Sequence, residues 1–185
     1  MNGSETTELL RRMSPEELAR LGEDSLREHL LAQAVVAHCR YGPDISTRLD
    51  ALLCDSECVR YPTRLVFEFG EMGLHQFAQP DIDWRNTDED GRVLYLRPVL
   101  RNHPASIALA VSYMIPVINY GDLINDTHCV SYGATLMGLT ESEFYTRICR
   151  LAEQCGAEVR LTGDQPGGCC PQGANNTESS EPRRE

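Results

Sequence analysis

The N-terminal third of the chain spaces its apolar residues as amphipathic helices do. Ser14 is followed by a proline and, three positions on, by a glutamate, which is the pattern of a capped helix start. We expect this first helix to end at Gly22. A second capped start predicts a helix over residues 25–42, and a third helix is expected from Ile45 to Leu53.

The middle third is predicted to form strands. Residues 65–69 are short, apolar and aromatic, and residues 92–99 alternate between apolar and polar positions. The acidic stretch 88–91 between them is typical of a turn that enters the second strand. The two strands can pair, although the segment that joins them is long.

The last third returns to helical spacing. Pro104 opens an apolar helix that Pro116 should end or kink. A second helix is expected from Asp126 to about Gly138. The third helix has a capping box formed by Thr140 and Glu143, and its residues Phe144, Ile148 and Leu151 share one face. This helix should end at Gly156 and be followed by a short strand over 157–161.

These elements predict an α+β fold in which helices flank a small, mostly antiparallel sheet. We expect a flexible N-terminus over residues 1–13 and a single domain over residues 14–161. Residues 162–185 consist of Gly, Pro, Gln, Asn, Ser and Glu with few apolar residues, so they predict a disordered tail.

Charge narrows the classes of function. The formal net charge of -11 disfavours binding to nucleic acid and to anionic membranes, both of which need a basic surface. All seventeen basic residues are arginine, which excludes chemistry that requires a lysine; a GC-rich genome is the simplest cause.

The apolar run 107–120 is too short to cross a bilayer, and the first residues lack the pattern of a signal peptide. The expected location is the cytoplasm.

A metal site is the first candidate for chemistry. Glu71 and His75 are four residues apart, so they share a face if a helical turn forms there. His103 and His128 each lie at a predicted helix start, and Glu68 is a further carboxylate. Imidazole and carboxylate ligands together suit zinc or ferrous iron. The spacing matches no known ligand signature, so histidines scattered over the surface are the alternative.

Cysteines supply two further candidates. Cys129 is expected in the first turn of a helix, where the helix dipole favours a reactive thiolate; a buried thiol without a role is the alternative. Cys54 and Cys58 form a CxxxC pair that can bind a metal if His38 and Cys39 supply the remaining ligands. The alternative is a helix end with one buried and one exposed cysteine.

Other polar clusters are weaker signals. The acidic run comprises Asp81, Asp83, Asp88, Glu89, Asp90 and Gly91. It resembles a calcium-binding loop but lacks the distal glutamate of such a loop, so a solvated turn is expected. Cys169 and Cys170 in the tail can bind a soft metal or be oxidised. The nucleotide-binding, zinc-protease and serine-hydrolase motifs are absent from the sequence.

Two functional hypotheses remain. The first is a non-catalytic cytoplasmic binding or accessory protein that acts through contacts with a protein partner or with a second copy of itself. Its basis is the acidic charge, the lack of a catalytic motif and an apolar segment over 107–118. The second is an enzyme or carrier protein that depends on zinc or iron, in which histidines hold the metal and one glutamate ligates it or acts as general base.

Overall fold

The computed structural model describes residues 7, 11–42, 44–81 and 91–162. Its helices are α1 Pro15–Tyr41, α2 Leu49–Cys54, α3 Pro104–Tyr120, α4 Asp126–Met137 and α5 Glu141–Thr162. Its strands are β1 Thr63–Phe67, β2 Ala78–Pro80 and β3 Arg92–Leu96. Short 3-10 turns cover Ile45–Thr47, Pro98–Asn102 and Gly121–Leu123. The α+β class is confirmed. Residues 1–6, 8–10, 43, 82–90 and 163–185 lie outside the described residues, and with them the predicted tail and most of the acidic run.

The sheet is mixed, whereas the sequence predicted a mostly antiparallel one. β3 lies in the centre and pairs in parallel with β1, with Leu65 opposite Leu94. It pairs in antiparallel fashion with β2, with Gln79 opposite Tyr95. The expected pairing of the two longer strands is confirmed. Their direction differs because the chain between them is long enough for a crossover connection, which parallel strands require.

Helix α1 is continuous where the sequence predicted two helices. The capping box at Ser14 is confirmed, since its hydroxyl accepts from the Glu17 N–H at 3.2 Å and its N–H donates to the Glu17 carboxylate at 2.8 Å. Gly22 does not end the helix, which continues to Tyr41. A glycine inside a helix costs only about 1 kcal/mol, which the good helix formers on both sides offset.

Helix α3 is the central helix of the core. Ile115 and Ile118 are fully buried, and Pro116 lies within the helix without ending it. By length and composition alone the segment 104–123 could cross a membrane, but 61% of its most apolar window is buried inside this fold. The apolar segment predicted to face a partner or the core therefore packs into the protein's own core.

Helices α4 and α5 form an antiparallel hairpin beside α3. The start of α4 at Asp126 and its end at Gly138, which has a left-handed φ of 66°, are confirmed. The capping box at Thr140 is confirmed as well. The predicted end at Gly156 and the strand over 157–161 are wrong, because α5 continues through this glycine to residue 162.

Candidate functional site

The predicted metal ligands lie in four different settings. Glu68 and Glu71 are exposed in the segment after β1, and His75 lies in a separate turn, so no helical turn brings Glu71 and His75 onto one face. His103 is exposed at the start of α3. His128 is buried at the start of α4, where its backbone N–H donates to the Asn125 side chain at 3.0 Å.

Arg97 fixes the turn that carries His75. This arginine is 3% exposed, and its guanidinium donates to the carbonyls of Gln76 at 2.6 Å and Leu74 at 3.1 Å, and to that of Gly73. A Cβ placed on Gly156 would lie 2.5 Å from Nδ1 of His75, so the imidazole ring packs against α5 at that glycine. The contacts of His75 are those of a turn packed on a helix.

Among the residues that the structure describes, no group of three or more His, Cys, Asp or Glu residues comes together to hold a metal ion. The metal centre proposed from the sequence therefore stays a prediction without geometric support, and so does its choice of zinc or iron.

The Cys54 and Cys58 pair has one exposed and one buried thiol. Cys58 donates to Oδ2 of Asp55 at 3.6 Å, and burial raises the pKa of its thiol to about 11. Cys39 is exposed on α1, whereas the His38 ring bonds to the Leu136 carbonyl through Nδ1 at 2.9 Å. The two residues expected to complete this metal site therefore have other surroundings.

Asp55 is the centre of a polar cluster that fastens the end of α2 to α1. Its carboxylate accepts from the Tyr41 hydroxyl at 2.9 Å, from the Arg40 guanidinium at 2.9 Å and from the Glu57 N–H at 3.0 Å. Partial burial opposes ionisation, but the donors, led by the Glu57 N–H, prevail and lower the pKa of Asp55 to about 2. This cluster is structural, because its acceptor atoms are already occupied.

Cys129 is buried in the first turn of α4, as the sequence predicted, but its surroundings oppose reactivity. Desolvation by burial and the nearby Asp126 raise the pKa of the thiol to about 12. A thiolate is the nucleophilic form of cysteine, and it is rare at neutral pH at such a pKa. Burial therefore outweighs the helix dipole on which the prediction of a reactive thiol rested.

An open cleft of about 220 Å³ lies where α3, α4 and α5 meet, and we call it the α3–α5 cleft. Leu109, Met137 and Leu151 supply apolar atoms to its lining, and the first and last of these also belong to the core. Leu151 is placed there by the amphipathic spacing of α5, which buries Phe144 and Ile148 on the same side. The floor of the cleft is therefore apolar and continuous with the core.

The rim of the α3–α5 cleft is basic, in a chain whose net charge is negative. Arg147 and Arg150 line it from successive turns of α5, and Ser106 lines it from the first turn of α3, which has the positive end of the helix dipole. Neither arginine lies within ion-pair distance of a carboxylate among the residues that the structure describes, although Arg147, after the Thr140 hydrogen bonds, helps to lower the pKa of Glu143. Glu143, one turn before Arg147, accepts hydrogen bonds from the Thr140 N–H at 3.0 Å and hydroxyl at 2.8 Å.

A second feature is the first half of α1, which stands clear of the core. Every residue from 15 to 25 is exposed, and Leu30 is the first buried residue of the helix. These eleven residues span roughly 16 Å as a helix, and we call them the α1 arm. Leu18 and Leu21 are 39% and 47% exposed, and their spacing places both on one face of the arm.

Neither feature was predicted from the sequence. A signal for the cleft was present in Arg147, Arg150 and Gln154, whose spacing places them on one side of α5, but the apolar floor also needs residues from two other helices. The α1 arm was missed because a helix that ended at Gly22 would have been too short to project.

No protein-family model, curated protein or solved structure matches this chain. What the protein does must therefore be inferred from its own residues.

Proposed function

We propose that this chain is a non-catalytic cytoplasmic binding protein that acts through protein contacts at the α3–α5 cleft. The observation that carries the proposal is that Arg147 and Arg150 form no ion pair with another described residue and line the cleft beside an apolar floor. A basic rim around an apolar floor is complementary to a segment of protein that combines acidic and apolar side chains.

The shape of the cleft supports a helical or extended segment over a small molecule. Sites for small molecules are usually cavities of at least 300 Å³ that enclose most of the ligand. The α3–α5 cleft is smaller and open to solvent, and three helices form its walls. An amphipathic helix laid into a groove binds through a few apolar anchors and flanking charges, which is what this lining offers.

Affinity capture from native lysate, with the full chain as bait, tests the proposal. We expect Arg147→Glu with Arg150→Glu to lose the proteins that the wild type captures, because both rim charges are reversed. The matched control is Arg60→Glu with Arg64→Glu, which makes the same change of charge at two exposed arginines outside the cleft. Equal capture by the wild type and both variants would contradict the proposal.

A further inference from the structure

The α3–α5 cleft needs an occupant that is acidic and partly apolar, and the chain itself carries one. Within the α1 arm there are four carboxylates and a single arginine; the carboxylates are Glu16, Glu17, Glu23 and Asp24, and the arginine is Arg20. The exposed Leu18 and Leu21 add an apolar stripe. The arm therefore has acidic groups that complement the basic rim and apolar side chains that suit the apolar floor.

We infer that the cleft receives the α1 arm of a second copy of this chain, an inference that rests on the proposed function and names its partner. Leu18 and Leu21 occupy the apolar floor, and Asp24, one turn beyond Leu21 at the flank of this apolar face, pairs with Arg150. The arm is exposed in its own chain, so it does not fill its own cleft.

The arm is already ordered before it binds. The capping box at Ser14 satisfies the first backbone N–H groups of α1, and the Leu18 N–H donates to the Ser14 carbonyl at 3.0 Å. A helix formed in advance loses little conformational entropy on docking, which favours association. Every residue of the arm is exposed, so burial in the described part of its own fold does not account for its two leucines.

The position of the arm permits a reciprocal exchange. Arg27, just past the arm, has its guanidinium 3.8 Å from the carboxylate of Glu141, the first residue of α5. The arm thus leaves the body beside the helix whose later turns line the cleft. Two copies related by a two-fold axis each give one arm and receive the other, which doubles the buried area.

Sedimentation velocity of the full chain over a range of concentrations tests this inference. We expect a monomer–dimer equilibrium for the wild type and a monomer for Leu18→Glu with Leu21→Glu. Leu123→Glu is the control, because this residue is 71% exposed but belongs to neither surface. Circular dichroism spectra should coincide for these variants and the wild type, since all three leucines are exposed and their replacement leaves the fold intact.

Exchange of charge between two variants gives the sharper test. Asp24→Arg and Arg150→Glu should each weaken dimerisation roughly tenfold. A one-to-one mixture of the two should return to wild-type affinity, because each arm then meets a cleft of opposite charge. A wild type that stays monomeric, or a mixture no tighter than either variant alone, overturns the inference. If capture from lysate still depends on Arg147 and Arg150 in that case, the proposed function stands with another partner; if it does not, both fall.

Discussion

Replacement of Gly133 by alanine tests how α4 and α5 fit together. Gly133 is buried in α4, and a Cβ placed on it would lie 2.1 Å from Cζ of Phe144 and 2.6 Å from its Cε1. Carbon atoms in contact are about 3.5–4.0 Å apart, so the ring would have to move by more than about 1 Å. Phe144 is 0% exposed, so a displaced ring has to push against the neighbouring core residues.

The sign of the effect follows from two opposed contributions. Alanine is favoured over glycine inside a helix by about 1 kcal/mol. Overpacking a core costs typically 1–3 kcal/mol, and an overlap of this size belongs at the upper end. We therefore expect Gly133→Ala to lower the free energy of unfolding by about 2 kcal/mol. For a chain of this length, the Tm should fall by roughly 4–8 °C.

Urea unfolding followed by circular dichroism measures this difference. Gly22→Ala is the matched control, because a Cβ there meets nothing within 4 Å and should stabilise the helix by about 0.5–1 kcal/mol. Adding Phe144→Leu to Gly133→Ala should cost less than the sum of the single changes, since the smaller side chain relieves the overlap. A Gly133→Ala variant as stable as the wild type would refute this account of the helix contact.

Three further predictions concern the residues singled out from the sequence. Because the pKa of Asp55 in the folded protein, about 2, is below the ordinary value of 3.8, Asp55 should stabilise the fold above pH 4 and lose that effect between pH 4 and 2. Asp55→Asn should therefore lower the free energy of unfolding by about 1 kcal/mol at pH 7, after allowance for solvent screening. A difference in urea unfolding that does not shrink toward pH 2 would count against this. Cys129 should be alkylated by iodoacetamide far more slowly than the exposed Cys54, as peptide mass spectrometry can follow, and equal rates would argue against its burial. His75→Ala and His103→Ala should leave the metal content by elemental mass spectrometry unchanged, and loss of near-stoichiometric zinc or iron from either variant would make the metal-centre hypothesis the leading one.

Two helix starts were predictable because each is encoded within four residues, whereas the start predicted at Ser25 was wrong because this residue lies inside the continuous α1. Ser14 and Thr140 bond to backbone N–H groups of their own first turn, so no distant part of the chain is involved. Helix ends at glycine were less predictable. Gly138 ends α4 in a left-handed conformation, whereas Gly22 and Gly156 lie within helices that continue. The difference lies in residues farther along the chain, and a single glycine does not report it.

The candidate site was not predictable, because it depends on contacts between distant segments. The floor of the α3–α5 cleft joins Leu109, Met137 and Leu151, which come from three helices. The exposure of the α1 arm likewise depends on where the rest of the core ends. The histidines chosen from the sequence are placed by other local needs: His128 belongs to a helix start, and the turn of His75 is held by a buried arginine.

Photo-crosslinking from within the cleft tests the central claim most directly. Gln154 lines the α3–α5 cleft and is exposed, so a benzoylphenylalanine introduced at this position contacts a protein bound in the cleft. Benzoylphenylalanine at position 123, outside the cleft, serves as the control. After irradiation in cells, we expect a covalent adduct with a protein from position 154 and none from position 123. Mass spectrometry then identifies the adduct as a second copy joined through its α1 arm or as a different protein. The absence of an adduct at position 154, or the same adduct from both positions, would contradict the claim that this cleft is a protein-binding site.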